Sequence, residues 1–402
     1  MLFELNMYHT CAIAALILML GEAVKRQMSV LRKFCIPVPV VGGLIFTLLI
    51  TAGYLTGSFE VKFNATLSDF FSLAFYSGVG FTASLSTLKK GGIKVFKYLM
   101  LAVALVVLQN AMGVGISMAM GINPLVGLAT GSIPMTGGHG TSAAFAPELE
   151  KLGLASATTI SLAAATFGLV AGSLCGGPIG RWLTEKHCGM RPLRQEDLQK
   201  QRIVTVAQRS EEAQGIEEKY MMSATYQVLL AMAFGSLISA GLKQVGFTFP
   251  ASVGAMTASA IFVNVAELVP AIQIRQREIN CIGNVSLMLF LAMSMMTLKL
   301  WQLVDLAVPM LVLLVCQSTL MLLFAAYVTF PVMGKNYAAA MMACGHCGFG
   351  LGAVPTAMAN MKTMADTYGD CHEAFFIVPL VGSLFINFFN SIIITAFMNF
   401  LA

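Results

Sequence analysis

The chain has 402 residues, 57% of them hydrophobic and only 11% charged, with mean hydropathy +0.79. A water-soluble domain carries about 25% charged residues, so this composition excludes a soluble enzyme and points to an integral membrane protein built of apolar helices. The net charge of +5 does not indicate a nucleic-acid binder, because the basic residues collect on one side of the expected topology, as membrane insertion requires.

No basic n-region and no small-residue cleavage site accompany the first apolar run, so the first helix is expected to be retained. Spans of the length a bilayer requires fall at 6–24, 38–57, 67–88, 97–120 and 155–178. Between the last two lies an apolar stretch, 123–146, broken by Gly137-Gly138-His139-Gly140-Thr141. Backbone that leaves the regular helix at membrane depth must be buried in protein or line a cavity, so this stretch fits a re-entrant hairpin. Residues 181–220 form the only long polar stretch and read as a cytoplasmic linker. Five more spans follow at 221–243, 250–270, 282–299, 304–330 and 374–400, with a second broken stretch at 337–358 carrying Gly345-His346-Cys347-Gly348-Phe349-Gly350-Leu351-Gly352.

With the linker in the cytoplasm, 20 of the 24 Lys and Arg residues fall on the cytoplasmic side and both termini face outward. The halves read as repeats. Thr87-Leu88-Lys89 recurs as Thr297-Leu298-Lys299, Gly140-x-x-Ala143 as Gly350-x-x-Ala353, and Gly172-Ser173-Leu174 as Gly382-Ser383-Leu384, each 210 residues on. Five spans per half make the second copy inverted across the membrane. The expected fold is therefore an all-α membrane protein of ten spans. Its first repeat covers 1–180 and its second 221–402, and the hairpin tips meet near the midplane.

Chemistry is expected at those tips. Glycine leaves backbone N–H groups unobstructed, and a helix starting there presents donors and partial positive charge to an anion. Substrate candidates are Gly137, Gly138, His139, Gly140, Thr141 and Ser142 at the first tip. Gly348, Gly350 and Gly352 are those of the second, with Thr356 and Asn360 one helical face beyond. Thr141 and Ser142 either cap the helix or touch substrate. Lys and Arg are nearly absent from the predicted interior, so a carboxylate would lean on helix N-termini, hydroxyls and bound cations. Glu22, Asp69 and Glu267 read as interfacial anchors near Lys25, Lys62 and Arg275. Cation candidates are oxygens of Gln109, Gln317, Asn387, Asn390 and Ser391, and backbone freed at Gly345 and Cys347. His139 and His346 read as neutral rings hydrogen-bonded within the tips, with proton coupling as the alternative. The nine cysteines do not form a disulfide pattern; Cys344-x-x-Cys347 with Cys371-His372 supports a membrane redox or metal protein as the rival class. An ion channel would not need paired hairpins.

These residues resemble the glutamate:sodium symporter family. The two tips carry the resemblance, together with Pro355-Thr356-Ala357, Ala359-Asn360-Met361, Gly283-Asn284-Val285-Ser286-Leu287, Gln109-Asn110-Ala111, Thr166-Phe167-Gly168-Leu169 and Met333-Gly334-Lys335-Asn336-Tyr337. Val354 and Met358 are conservative departures, and the linker and 57–65 contribute little. The resemblance implies secondary uptake of L-glutamate driven by sodium. It also implies no cofactor or enzymatic activity, a bacterial inner-membrane location, a homodimer, and an elevator-like movement. From the residues alone, another carboxylate such as citrate or malate stays open as cargo.

Overall fold

A computed structural model describes residues 2–33, 36–57, 60–90, 92–190, 218–244, 250–269, 273–298 and 306–401. Most of the predicted linker, 191–217, lies outside them, as does Lys299. Eight helices among the described residues are long and apolar enough to cross a bilayer. They are α1 (Met7–Gln27), α2 (Val38–Leu55), α4 (Gly92–Ala119), α8 (Ala157–His187), α9 (Glu218–Gln244), α11 (Gln276–Met296), α12 (Ala307–Val332) and α15 (His372–Leu401). Between them stand α3 (Thr66–Phe81), α5 (Pro124–Ala129), α6 (Ser132–Met135), α7 (Gly138–Lys151), α10 (Ala251–Ala266), α13 (Tyr337–Leu351) and α14 (Val354–Tyr368). The polar stretch 57–65 adds what the all-helical expectation lacked. Strand β2 (Glu60–Lys62) pairs in parallel with β1 (Leu2–Glu4) ahead of α1.

Local chemistry sets the helix ends. Asn6 caps α1 by accepting from the His9 amide at 2.9 Å, and Lys25 and Arg26 sit in its last turn, where they complement the helix dipole. α2 and α10 both follow a proline, Pro37 and Pro250, whose fixed φ suits a helix start. Small residues let helices touch backbone to backbone. A methyl on Gly42 would lie 2.0 Å from the Ile17 carbonyl oxygen, and one on Gly254 would lie 2.3 Å from that of Gly235. The pairs α1/α2 and α9/α10 therefore cross by the same device.

Several predicted boundaries move. The span expected at 67–88 ends at Phe81, turns through Thr82–Ser84, and resumes as a short helix Leu85–Lys90. The arm expected to close at 146 continues to Lys151, and α8 continues past the predicted linker start to His187. The second stretch, expected to end at 358, runs on as α14 to Tyr368, where Gly369 (φ 102°) stops it. Hydropathy hid this extension because its outer face is polar: Lys362, Thr363 and Asp366 are exposed while Met361, Met364, Ala365 and Tyr368 are buried.

Packing sorts the helices into two groups that each draw on both halves. α1, α2, α3, α9, α10 and α11 contact one another. The rest gather around α4, α8 and α13, and they hold most of the largest buried cluster, from Val95 to Met398. Two π-helical turns occur, Ala325–Thr329 in α12, packed on α13, and Leu380–Phe385 in α15, where a methyl on Gly382 would lie 3.2 Å from the Phe349 ring of α13; such turns recur at functional sites.

Candidate functional site

The two glycine-rich stretches come together. α7 starts at Gly138 behind Gly137, and α14 starts at Val354 behind Ala353, neither with a side-chain cap. Gly138 has φ +64°, a conformation that costs a side-chain-bearing residue about 1–2 kcal/mol. A methyl there would lie 3.1 Å from the Gly352 carbonyl oxygen. Two uncapped helix N-termini therefore begin at one contact. Thr141 and Ser142 do not cap α7, contrary to one expectation. Ser142 Oγ and Thr356 Oγ1 are fully buried without a hydrogen-bond partner. An unpaired buried hydroxyl is costly unless something else fills its valence.

The second break is narrower than its glycines suggested. α13 stays helical through Gly345, Gly348 and Gly350 and opens only at Gly352 and Ala353. Glycine in a helix costs about 1 kcal/mol relative to alanine, but tight packing offsets it here. A methyl on Gly348 would lie 2.3 Å from the Ala357 Cα, so the arms of this hairpin meet through that glycine. Gly345 and Cys347 thus lie in regular helix, and no backbone is freed there for a cation. Gly140 faces Phe75 and Leu287 across the group boundary, its methyl position 3.2 Å from each.

α4 anchors both tips through one amide. Gln109 is fully buried; its Oε1 accepts from the Thr136 hydroxyl at 2.8 Å, and its Nε2 donates to the Gly350 carbonyl at 2.7 Å. Its backbone carbonyl accepts from Gln317 Nε2 at 2.8 Å. Asn110 Oδ1 accepts from the Ser132 amide at 2.9 Å, and Asn390 Nδ2 donates to the Ser132 carbonyl at 3.2 Å. Of the cation candidates, Gln109, Gln317 and Asn390 therefore converge, while Ser391 is occupied by the Asn387 carbonyl of its own helix. Asn360 docks α14 on α8 by donating to the Gly172 carbonyl at 2.8 Å. Sequence reasoning passed over Ser132 and Thr136. Their one signal was a hydroxyl beside a glycine break in apolar surroundings.

The histidines pair across helices rather than within the tips. His139 Nε2 lies 3.0 Å from Thr166 Oγ1, whose own proton goes to the Leu162 carbonyl, so the ring is the donor. His346 sits inside α13, its Nδ1 2.9 Å from Thr329 Oγ1 in the π turn and its ring stacked on Phe349 at 4.9 Å. Among the described residues no Lys or Arg is buried. Glu22 pairs with Arg26 and Lys62 with Glu4, while Glu267 accepts from Ser84 and Ser86. Asp69 lines a cavity of about 420 Å³ with Glu148, Lys151 and Ser294, alongside α7. Cys344 and Cys347 are buried and free, and no cluster of His, Cys, Asp and Glu suited to a metal occurs among the described residues.

A family model described as sodium/glutamate symporter matches residues 3–370. A sodium/glutamate symporter of Escherichia coli (strain K12) is 38% identical over 398 residues, covering 99% of this chain and 98% of the relative. That of Shigella flexneri matches equally. A sodium/glutamate symporter of Haemophilus influenzae is 36% identical over 409 residues, covering the whole of both chains.

Proposed function

The chain belongs to the sodium/glutamate symporter family, and on that premise we propose that it carries L-glutamate into the bacterial cell together with sodium, holding the substrate between the two hairpin tips. It is a transporter and not an enzyme. The redox reading of Cys344 and Cys347 is accordingly set aside. The observation that carries the site is the contact between Gly138 and Gly352. There two uncapped helix N-termini meet beside the unpartnered hydroxyls of Ser142 and Thr356, with no Lys or Arg buried among the described residues. Helix N-termini take a carboxylate, and the hydroxyls donate to its remaining lone pairs.

The same reading makes the halves inverted repeats, 1–180 and 221–402, of five spans each, with α3 and α10 counted as spans and the broken stretches as re-entrant hairpins. The matched crossings at Gly21/Gly42 and Gly235/Gly254 support it. The pairing of β1 with β2 supports the first two spans of that topology, since it sets the segment before α1 beside the segment after α2. Both termini face the periplasm. A periplasm-specific reporter fused after residue 402 is expected to be active, and a silent fusion overturns this orientation. The group around α4, α8 and α13 slides as a body against the group of α1–α3 and α9–α11, within a homodimer.

Proteoliposomes test the function. Labelled glutamate should accumulate with an inward sodium gradient and not without it. Uptake indifferent to sodium, or uptake of citrate in place of glutamate, overturns the assignment.

A further inference from the structure

We propose a sodium site at the break between α5 and α6, built on Ser132, Gln317 and Asn390; it rests on the sodium-coupled reading above and assigns one coupling ion to named oxygens. Three side-chain oxygens there, Ser132 Oγ, Gln317 Oε1 and Asn390 Oδ1, are buried without a hydrogen-bond partner, and all three residues have no exposed surface. Their other polar atoms hold them toward one another. Asn390 Nδ2 is fixed on the Ser132 carbonyl, and Gln317 Nε2 on the Gln109 carbonyl.

The backbone between them is a cradle for which only glycine leaves room. A methyl on Gly131 would lie 2.8 Å from the Gly127 carbonyl oxygen, 2.7 Å from Asn110 Oδ1 and 3.4 Å from the Gln109 carbonyl oxygen. Gly131 itself leaves the helical conformation, with φ −86° and ψ −138°. Orphaned acceptors crowding a broken helix call for a cation or a water. The donor set decides for a hard monovalent cation. The three unpaired oxygens are all neutral, whereas calcium favours carboxylates and softer metals favour nitrogen or sulfur; the neighbouring Asn110 Nδ2, also buried and unpaired, is a donor and no ligand. Unwound backbone and amide oxygens are how membrane transporters hold coupling ions.

The geometry also links this ion to the substrate. The backbone of Gln109 borders the cradle, while its side chain bridges Thr136 at the first tip and Gly350 at the second. An ion that orders Gln109 and Ser132 orders both tips. Sodium therefore raises glutamate affinity and glutamate raises sodium affinity by the same factor.

The test uses the full chain in proteoliposomes and in detergent. Ser132→Ala removes one hydroxyl and is the clean variant; Gln317→Met removes the amide at nearly constant shape, its unpaired Oε1 together with the Nε2 donor to the Gln109 carbonyl. Each variant should raise the sodium concentration for half-maximal glutamate uptake at least about ten-fold, and should shrink the sodium-induced rise in thermal midpoint measured without glutamate. Glutamate KM at saturating sodium should stay within about two-fold of wild type. A half-saturation and thermal response equal to wild type in either folded variant overturns the site and leaves an ordered water as its occupant. If both variants fail to insert, direct titration decides. Wild-type protein without a sodium-induced thermal shift relative to potassium also overturns it. Wild-type uptake indifferent to sodium would instead overturn the family-based function, so the two failures read differently.

Discussion

At the residue scale, the tip glycines differ in what they permit. Gly348 abuts the Ala357 backbone at 2.3 Å from its would-be methyl, whereas the nearest atoms to that of Gly140 are side-chain ones, the Phe75 ring and a Leu287 methyl at 3.2 Å. Backbone cannot yield as side chains can, and overpacking costs about 1–3 kcal/mol. Gly348→Ala is therefore expected to lower the thermal midpoint of the purified protein and to abolish uptake, while Gly140→Ala keeps most of it. Equal losses would contradict this packing. The motif letters announced both glycines alike. Which of them touches backbone could not be read there, because the contact is made with residues on the other arm of the hairpin.

At the element scale, the π turn of α12 sets Thr329 against His346. Thr329→Val leaves a buried ring nitrogen unpaired, a loss of about 1–3 kcal/mol. The expected result is a lower thermal midpoint, restored by Thr329→Ser; a valine variant as stable as wild type would remove this pair from the structural account. Helix α13 shows the limit of local reading. Its glycines at 345, 348 and 350 suggested a long tip, yet tertiary packing keeps them helical and confines the break to Gly352 and Ala353. The polar outer face of α14 likewise hid its last turns, since hydropathy averages over the faces that burial separates. Among the described residues, eight of the expected spans appear as helices long and apolar enough to cross, because runs of apolar residues must satisfy their backbone as helices in lipid.

At the scale of the whole molecule, two helix groups meet where Gly140 of the first tip lies against Phe75 and Leu287. If one group slides on the other, fixing that contact stops transport. In a background lacking native cysteines, G140C with L287C should lose uptake on treatment with a short bifunctional thiol reagent, and each single variant should not. Continued uptake by the cross-linked pair would rule out sliding at this boundary. Composition determined the membrane class, because it follows from the solvent each residue must face, and the glycine pattern marked the two stretches that meet at Gly138 and Gly352. Only the tertiary structure decided that the tips touch at Gly138 and Gly352, that helices from both halves pack together, and that the Ser132 backbone is held by Asn110 and Asn390. Those residues stand up to 258 positions apart, and a hydrogen bond between them leaves no local trace that composition or periodicity could carry.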